Sequence, residues 1–415
     1  MLLAYGHIPE SITSLKDVKM LPKGNYLTFE IGTGKSELNC YKSFKYEEII
    51  EDRMDAIDTV NKRLSEAVHG HLLSDAPIGV FLSGGIDSSL LTLLAHKYSG
   101  DHLNTLSIYF NEAKFSEKKF QDIVIEQANC NHKQYLLDGS YFSEHFEQVV
   151  NDMDQPSIDG INTWFISKYA KDSGLKAVLS GVGSDELFGG YPSFKRMRTL
   201  KILKKVPSFI LQKLVTFSNN KVKRFAFLSI PGIRGEYLFL RGIFLPSDIA
   251  AILNIKEDEV WKILNEVPLV PENKNLSMGN QASWMEMNLY MQNQLLRDSD
   301  VMSMAHGVEI RVPFLDNDVV ETALKIDSKE KYSGKLPKQL LIDAFKNFLP
   351  KAIWDRPKMG FAFPFKEWLS NNNYVKRTID SNESYKEIYK RFVKGELQWA
   401  HVMALIVLHA KFKNS

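Results

Sequence analysis

Short apolar runs alternate with amphipathic stretches between about residues 46 and 180. Ile78–Leu82 is such a run, and leucines at helical spacing follow it from Leu90 onward. The same pattern predicts strands at 103–110, 133–137 and 175–179, with helices at 116–129 and from Thr163 to about Gly174. This alternation predicts an α/β fold whose parallel sheet is covered on both faces. Because such sheets bind ligands where their strands end, we look at the loops after strands.

The two ends of the chain have different patterns. Residues 1–45 read as short extended pieces broken by Pro and Gly, and a helical stretch follows between Ile50 and Val68. Residues 236–415 are mostly helical in pattern. The segment 195–224 holds ten basic residues and no acidic one. Two interpretations of it stay open: the solvated face of a packed helical pair, or a patch for an anionic partner or membrane surface.

Composition narrows the class of protein. The chain has 415 residues, 44% of them apolar, so a disordered chain is excluded. A net charge of +2 argues against a protein whose entire surface is built to bind polyanions. Two cysteines are too few for a disulfide framework or a metal cluster held by cysteines. The beginning of the chain lacks the pattern of a signal peptide, and no apolar run is long enough for a membrane span. We therefore expect a cytoplasmic protein.

A glycine- and serine-rich loop carries the clearest chemical signal. Ser83-Gly84-Gly85-Ile86-Asp87-Ser88-Ser89 stands between an apolar strand and an apolar-periodic helix. Glycines let the backbone approach phosphate oxygens, hydroxyls add donors, and the helix N-terminus favours an anion. A carboxylate at Asp87 suits a magnesium ion that accompanies the phosphates. The lysine of a Walker A loop is missing.

This loop resembles the PP-loop of ATP pyrophosphatases, and its flanks resemble the synthetase domain of class B asparagine synthetases. Three further blocks in the same order support the resemblance. They are Leu179–Tyr191 (LSGVGSDELFGGY), Met302–Asp316 (MSMAHGVEIRVPFLD) and Arg356–Phe361 (RPKMGF). The resemblance implies a PP-loop domain, similar to adenine nucleotide α-hydrolases, with a helical C-terminal extension.

The resemblance also implies roles for individual residues. Asp87 and Asp185 would bind Mg²⁺, and Lys358 would stabilise charge at the reacting phosphate of ATP. We expect these three to be the catalytic residues. The expected ATP contacts are Leu82, Ser83, Gly84, Gly85, Asp87, Ser88, Ser89, Ile108, Ser180 and Gly181.

The sequence departs from the family pattern in three places, and these limit which properties of the family can be expected of this chain. Residues 1–45 resemble only the last strands of its glutaminase domain, and no cysteine follows Met1. Val182 stands where asparagine synthetases of this type carry a glutamate, and valine accepts no proton. Segment 154–163 does not have the threonine-and-arginine content of the segment that helps to hold aspartate in asparagine synthetases. Weaker candidates for the substrate site are Asp159, Asn162, Val182, Glu309 and Arg311. Asp159 and Asn162 could equally cap a helix at Thr163. Glu309 and Arg311 could instead fix a turn.

The expected domains are a β-rich glutaminase remnant at 1–45, a ligase domain at 46–390 with a basic helical insertion at 195–280, and a C-terminal helix at 391–415. The expected function is an ATP- and Mg²⁺-dependent ligase that adenylates a carboxylate and transfers ammonia to it. The acid would be aspartate or a related acid, including a sugar or glycan precursor.

Alternative functions are a catalytically weakened nucleotide-binding subunit and a PP-loop RNA-modifying enzyme. A separate glutaminase subunit and a homodimer stay open as partners, and nucleic acid is not expected.

Overall fold

A computed structural model describes residues 1–204, 206–207, 210–211, 220–267, 275–360 and 362–412. Lys205 and Lys213 of the basic segment, Phe361 of the fourth block and residues 413–415 lie outside these ranges. The strands are β1 (Asn25–Phe29), β2 (Ser36–Cys40), β3 (Ile78–Phe81), β4 (Asn104–Tyr109), β5 (Asn131–Leu136), β6 (Ala177–Leu179) and β7 (Glu309–Arg311).

Strands β3 to β7 form one parallel sheet in the order β5-β4-β3-β6-β7. Val80 of β3 is paired with Thr105 of β4 on one side and with Leu179 of β6 on the other. The predicted α/β class and parallel sheet are confirmed. β7 was not predicted, because three residues in a helix-rich region give too short a strand pattern.

Helices cover the sheet and build the C-terminal half. In the first half they are α1 (Leu2–Tyr5), α2 (Arg53–His71), α3 (Ile86–Ser99), α4 (Lys118–Ala128), α5 (Gly139–Asp152), α6 (Ile161–Asp172), α7 (Ser184–Phe188) and α8 (Pro192–Leu203). In the second half they are α9 (Asn220–Lys223), α10 (Ile233–Arg241), α11 (Pro246–Leu253), α12 (Glu257–Glu266), α13 (Met278–Met285), α14 (Arg297–Met304), α15 (Asn317–Lys325), α16 (Ser328–Tyr332), α17 (Gln339–Phe345), α18 (Lys351–Trp354), α19 (Phe365–Asn371), α20 (Asn373–Asp380), α21 (Glu383–Val393) and α22 (Trp399–Phe412). A π-helical stretch at Glu286–Leu296 joins α13 to α14, and short 3₁₀ turns lie at Gly100–His102, Arg224–Ser229 and Pro313–Leu315.

The N-terminal segment differs from its prediction at its start. Leu2–Tyr5 is a buried helix and not an extended piece. The reason is tertiary, since the carbonyls of Leu3 and Ala4 accept hydrogen bonds from the backbone of Phe244 and Ile243. Farther along, β1 and β2 pair as an antiparallel hairpin that is largely exposed. Within residues 1–45 the strands are therefore those of this hairpin alone.

The C-terminal end is helical, as its pattern predicts, but the boundary placed at residue 390 falls inside α21. Residues 400–407 of α22 are buried with one exception, so this helix is part of the main core. Lys204 in the basic segment forms an ion pair with Glu236, and Arg224 donates to the carbonyl of Phe239 at 3.0 Å. These two basic groups are bound within the fold. Among the described residues, no helix is both long and apolar enough to cross a bilayer.

Candidate functional site

The loops after β3 and β6 meet at the carboxyl edge of the sheet. The strand order reverses between β3 and β6, because β4 and β5 lie on one side of β3 while β6 and β7 lie on the other. A crevice forms at such a point, outside the carboxyl ends of the strands. The glycine- and serine-rich loop follows β3, and the second block follows β6. The topology therefore brings together two motifs that lie about a hundred residues apart in sequence.

The loop after β3 combines a left-handed glycine with a cluster of serine hydroxyls. Gly84 has φ +87°, a conformation that favours glycine, and Gly85 precedes the first residue of α3 with no side-chain cap. Ser83 Oγ lies 2.9 Å from Ser88 Oγ, and the Ser83 N–H donates to Ser88 Oγ at 3.1 Å. Ser89 is fully buried and its Oγ has no hydrogen-bond partner. The uncapped helix and the orphaned hydroxyl suit a loop that binds an anion.

Two carboxylates and two ammonium groups lie beside this loop. Asp87 Oδ1 accepts from Ser184 Oγ at 2.6 Å. Lys338 Nζ lies 2.5 Å from Asp87 Oδ2 and 2.5 Å from Asp185 Oδ1. Lys358 Nζ donates to both oxygens of Asp185 at 2.8 Å. The structure thus brings Asp87, Asp185 and Lys358 together, although their catalytic and metal-binding roles stay predictions.

Glycines allow the close approach of the two acids to the neighbouring backbone. A Cβ at Gly181 would lie 2.8 Å from Asp87 Cβ, and a Cβ at Gly190 would overlap the Asp185 carboxylate. Ser180, just before Gly181, is anchored by its N–H to the carbonyl of Arg311 at 2.8 Å. The loop after β6 therefore packs directly against the start of α3.

Charge and burial act in opposite directions on the acids. Burial works to raise the pKa of Asp185, but the ammonium groups of Lys338 and Lys358 hold it at about 2. The adjacent Glu186 is buried, and burial together with the charge of Asp185 raises its pKa to about 7. Glu186 accepts a hydrogen bond from Tyr191 at 2.8 Å, and the Tyr191 ring lies 5.0 Å from Lys358 Nζ. A carboxylate that stays ionised at neutral pH therefore adjoins a buried one whose pKa is raised to about 7.

Arg356 fastens the segment that carries Lys358 to the loop after β3. Its Nη2 donates to the Gly84 carbonyl at 2.8 Å and to Glu117 Oε1 at 2.7 Å. Its guanidinium lies 3.7 Å from the centre of the Phe120 ring. These contacts tie a residue near the C-terminal end of the chain to the phosphate-loop candidate.

Sequence reasoning missed two of these residues. Arg356 was part of a quoted block but had no assigned role, and Lys338 was not considered. A signal existed for Lys338, because a lysine at the start of a helix opposes the helix dipole. Such a placement calls for nearby acids, but the sequence does not show which ones.

Two other predicted ATP contacts, Leu82 and Ile108, have side chains that are buried in the core. The carbonyl of Leu82 accepts from Ser107 Oγ, and that of Ile108 accepts from Gln121. Adenosine binding at these two positions stays a prediction.

The candidates before α6 do not cap that helix. α6 begins at Ile161, two residues before the predicted start, and its N-cap is Gly160 with no side-chain hydrogen bond. Asp159 accepts instead from the Gly160 N–H at 2.9 Å, and burial raises its pKa. The capping interpretation of Asp159 and Asn162 is therefore wrong. Because α6 leads into β6 and runs back along the sheet, its start lies at the same edge as the crevice.

The remaining substrate candidates differ in their surroundings. Val182 is half-buried in the loop after β6, next to Gly183 with φ +100°. Arg311 Nε donates to Glu309 at 2.9 Å, and its Nη1 donates to the carbonyls of His71 and Leu73 at the end of α2. The pair of Glu309 and Arg311 thus fixes β7 to the end of α2.

The donor set fits magnesium with a nucleotide better than a resident metal. Within the described residues, no three His, Cys, Asp or Glu side chains are grouped to hold a metal ion. Asp87 and Asp185 share one ammonium, so their oxygens face a common point. Mg²⁺ is often bound by one or two carboxylates and completed by substrate phosphates. The two acids fit that mode.

Comparison with known proteins gives the following likenesses. Residues 59–404 match the family model described as asparagine synthase. The chain is 29% identical to asparagine synthetase (glutamine-hydrolyzing) 1 of Bacillus subtilis strain 168, over 94% of this chain and 63% of that protein. It is 27% identical to asparagine synthetase (glutamine-hydrolyzing) 3 of the same organism, over 83% of this chain and 54% of that protein. The chain thus spans less than two thirds of the length of either relative.

Among solved structures, the chain is similar to the NMN synthetase of Francisella tularensis. The identity is 13%, the TM-score is 0.23, and the match covers 66% of this chain and 91% of that one. At this level the likeness carries no argument about substrate or chemistry.

Proposed function

Because this chain belongs to the asparagine synthase family, we propose that it is an ATP-dependent carbon–nitrogen ligase that forms AMP. A carboxylate oxygen of the acid attacks the α-phosphorus of ATP and displaces pyrophosphate. Ammonia then attacks the acyl carbon of the adenylate, AMP leaves, and the nitrogen gives up a proton to form the amide. The single observation that carries this proposal is the cluster of Asp87, Asp185, Lys338 and Lys358 beside the loop after β3.

In this proposal the loop at 83–89 holds the pyrophosphate end of ATP. The free N–H groups at the start of α3 and the hydroxyls of Ser83, Ser88 and Ser89 are the donors for phosphate oxygens. Arg356 donates to the carbonyl of Gly84, whose φ lies in the left-handed region, and so anchors the loop. The loop is therefore ordered before the nucleotide arrives, which lowers the entropy lost on binding.

Asp87 and Asp185 would hold the Mg²⁺ that accompanies ATP. When bound, Mg²⁺ neutralises charge on the phosphates and on the leaving pyrophosphate. Asp185 stays ionised at neutral pH, since the two lysines hold its pKa at about 2. Ser184 donates a hydrogen bond to the carboxylate of Asp87, and Gly181 leaves room for the Cβ of Asp87 beside it.

Lys358 would stabilise the negative charge that develops at the α-phosphate. Its side chain is 40% exposed, so the ammonium can reach a ligand in the crevice, while Asp185 and the Gly190 carbonyl aim it. A lysine suits this task because its charge is compact. Preorganised charge of this kind is commonly the largest contribution to catalysis.

The acceptor would lie between the start of α6 and the loop after β6. Asp159, Asn162 and Val182 are the residues proposed to contact it, and Val182 offers no proton acceptor for the attacking amine. The acid is aspartate or a related acid, including a sugar or glycan precursor. The nitrogen is ammonia, free or delivered by a separate glutaminase subunit.

Pyrophosphate release tests this proposal. The protein is incubated with ATP, Mg²⁺ and a panel of carboxylic acids, with and without ammonium. We expect one class of acid to stimulate release, and ammonium to be needed for amide formation. Asp87→Ala should abolish the stimulation, whereas Asp75→Ala, at an exposed position before β3, should keep it. Equal background release by the wild type and Asp87→Ala across the panel would contradict the proposal.

A further inference from the structure

The ammonium of Lys338 stands where the two candidate metal-binding acids face each other. Its Nζ lies 2.5 Å from one oxygen of Asp87 and 2.5 Å from one oxygen of Asp185. Its side chain is only 3% exposed, compared with 40% for Lys358. Lys338 therefore bridges both acids from inside the protein, while Lys358 reaches Asp185 from the crevice.

The fold holds Lys338 in this position against two local costs. Its backbone has φ +58°, in the left-handed region that a lysine rarely adopts. It is also the N-cap of α17, where the helix dipole disfavours a cation. Both costs persist only where the surroundings enforce them, and such residues concentrate at functional sites. The two carboxylates supply the compensating interaction.

An ammonium and a divalent cation compete for the same carboxylate oxygens. A cation placed at Asp87 and Asp185 would lie close to Lys338 Nζ, and like charges repel strongly at such a distance in a buried site. The repulsion falls if the ammonium gains another anionic partner. The phosphates of a nucleotide bound to the loop after β3 would be such a partner, since that loop is continuous with Asp87.

We propose that Lys338 is a positioning residue that couples metal binding to nucleotide binding. Without nucleotide, its ammonium holds Asp87 and Asp185 in place and opposes a divalent cation there. With a triphosphate in the loop, Lys338 turns toward the phosphates and the acids become available to the cation. The inference rests on the proposed function for the identity of the nucleotide.

The probe is Mn²⁺, and its binding affinity is measured by electron paramagnetic resonance with and without α,β-methylene-ATP. This analogue resists cleavage between the α- and β-phosphates. For the wild type we expect Mn²⁺ binding to be at least about tenfold tighter with the analogue, a coupling of about 1.4 kcal/mol. Lys338→Met should bind Mn²⁺ at least about tenfold more tightly than the wild type without nucleotide. Lys335→Met, three residues away and exposed, should match the wild type.

Two results would overturn the inference. One is equal Mn²⁺ affinity of the wild type with and without the analogue, and this arm needs no variant to fold. The other is unchanged nucleotide-free affinity in a Lys338→Met protein whose circular dichroism is native. Neither titration depends on an acid substrate. Failure of pyrophosphate release with every acid would thus refute the proposed function without deciding the role of Lys338.

Discussion

Replacing Arg356 with methionine should destabilise the protein and loosen the loop after β3. The side chains of Arg356 and Glu117 are 12% and 4% exposed, and their ion pair is 2.7 Å long. Methionine keeps much of the volume and the contact with Phe120 but leaves the Glu117 carboxylate buried without its cation. The Gly84 carbonyl also loses a donor.

The size of the expected loss in unfolding free energy follows from the burial of the Arg356–Glu117 ion pair. Removing one partner of a buried ion pair costs about 3–5 kcal/mol, because the other charge stays buried and uncompensated. Burial already raises the pKa of Glu117, and Arg356 opposes that rise. Without Arg356 the pKa rises further, so the folded state binds a proton that the unfolded state has lost. The deficit in stability should therefore be about 3 kcal/mol at pH 8 and smaller at pH 5.

Urea unfolding followed by tryptophan fluorescence measures this loss at both pH values. Glu117→Gln in the Arg356→Met background removes the buried charge and should restore most of the stability. Arg377→Met is the matched control, since that arginine is 75% exposed and its ion pair is 3.8 Å long. A loss below about 1 kcal/mol for Arg356→Met, or a loss that is equal at pH 5 and pH 8, would refute the reasoning.

Two further predictions concern the acids of the crevice. Burial raises the pKa of Glu186 to about 7, so ionisation of this group disfavours the folded state. Glu186→Gln should therefore gain stability over the wild type as pH rises from 4.5 to 7, and the gain in the free energy of urea unfolding should reach about 3 kcal/mol at pH 8. A difference in stability that does not change with pH would contradict this. Gly190→Ala should reduce pyrophosphate release at least tenfold, because a Cβ there would overlap the carboxylate of Asp185 and the side chain of Lys338. Gly70→Ala, whose Cβ would meet nothing within 4 Å, is its control, and equal activity of the two variants would show that the acids tolerate displacement.

Much of the central sheet could be predicted from the sequence, since most residues of β4 and β6 and half of those of β3 are buried, although β5 is partly exposed. Each of the strands β3, β4, β5 and β6 is a short run flanked by helical periodicity, and the structure has all four within a few residues of the predicted bounds. β7 and α1 could not be predicted in this way. β7 has three residues, and α1 is stabilised by contacts with residues near 243 that are distant in sequence.

The site was only partly predictable for a similar reason. The loop at 83–89 carries its chemistry within seven residues, so its type is readable from the sequence. The contacts of Lys338 with Asp87 and of Arg356 with Glu117 join residues about 240 to 250 positions apart. Local patterns do not specify such pairs, and topology alone brings them together.

Transfer of ¹⁸O from the acid to AMP tests the central claim most directly. The protein is incubated with the acid that stimulates pyrophosphate release, labelled with ¹⁸O in its carboxylate, together with ATP, Mg²⁺ and ammonium. Adenylation predicts one ¹⁸O in each AMP formed and an amide that has lost one label, because the attacking oxygen leaves with the phosphate. Unlabelled AMP, or ADP as the nucleotide product, would contradict the account.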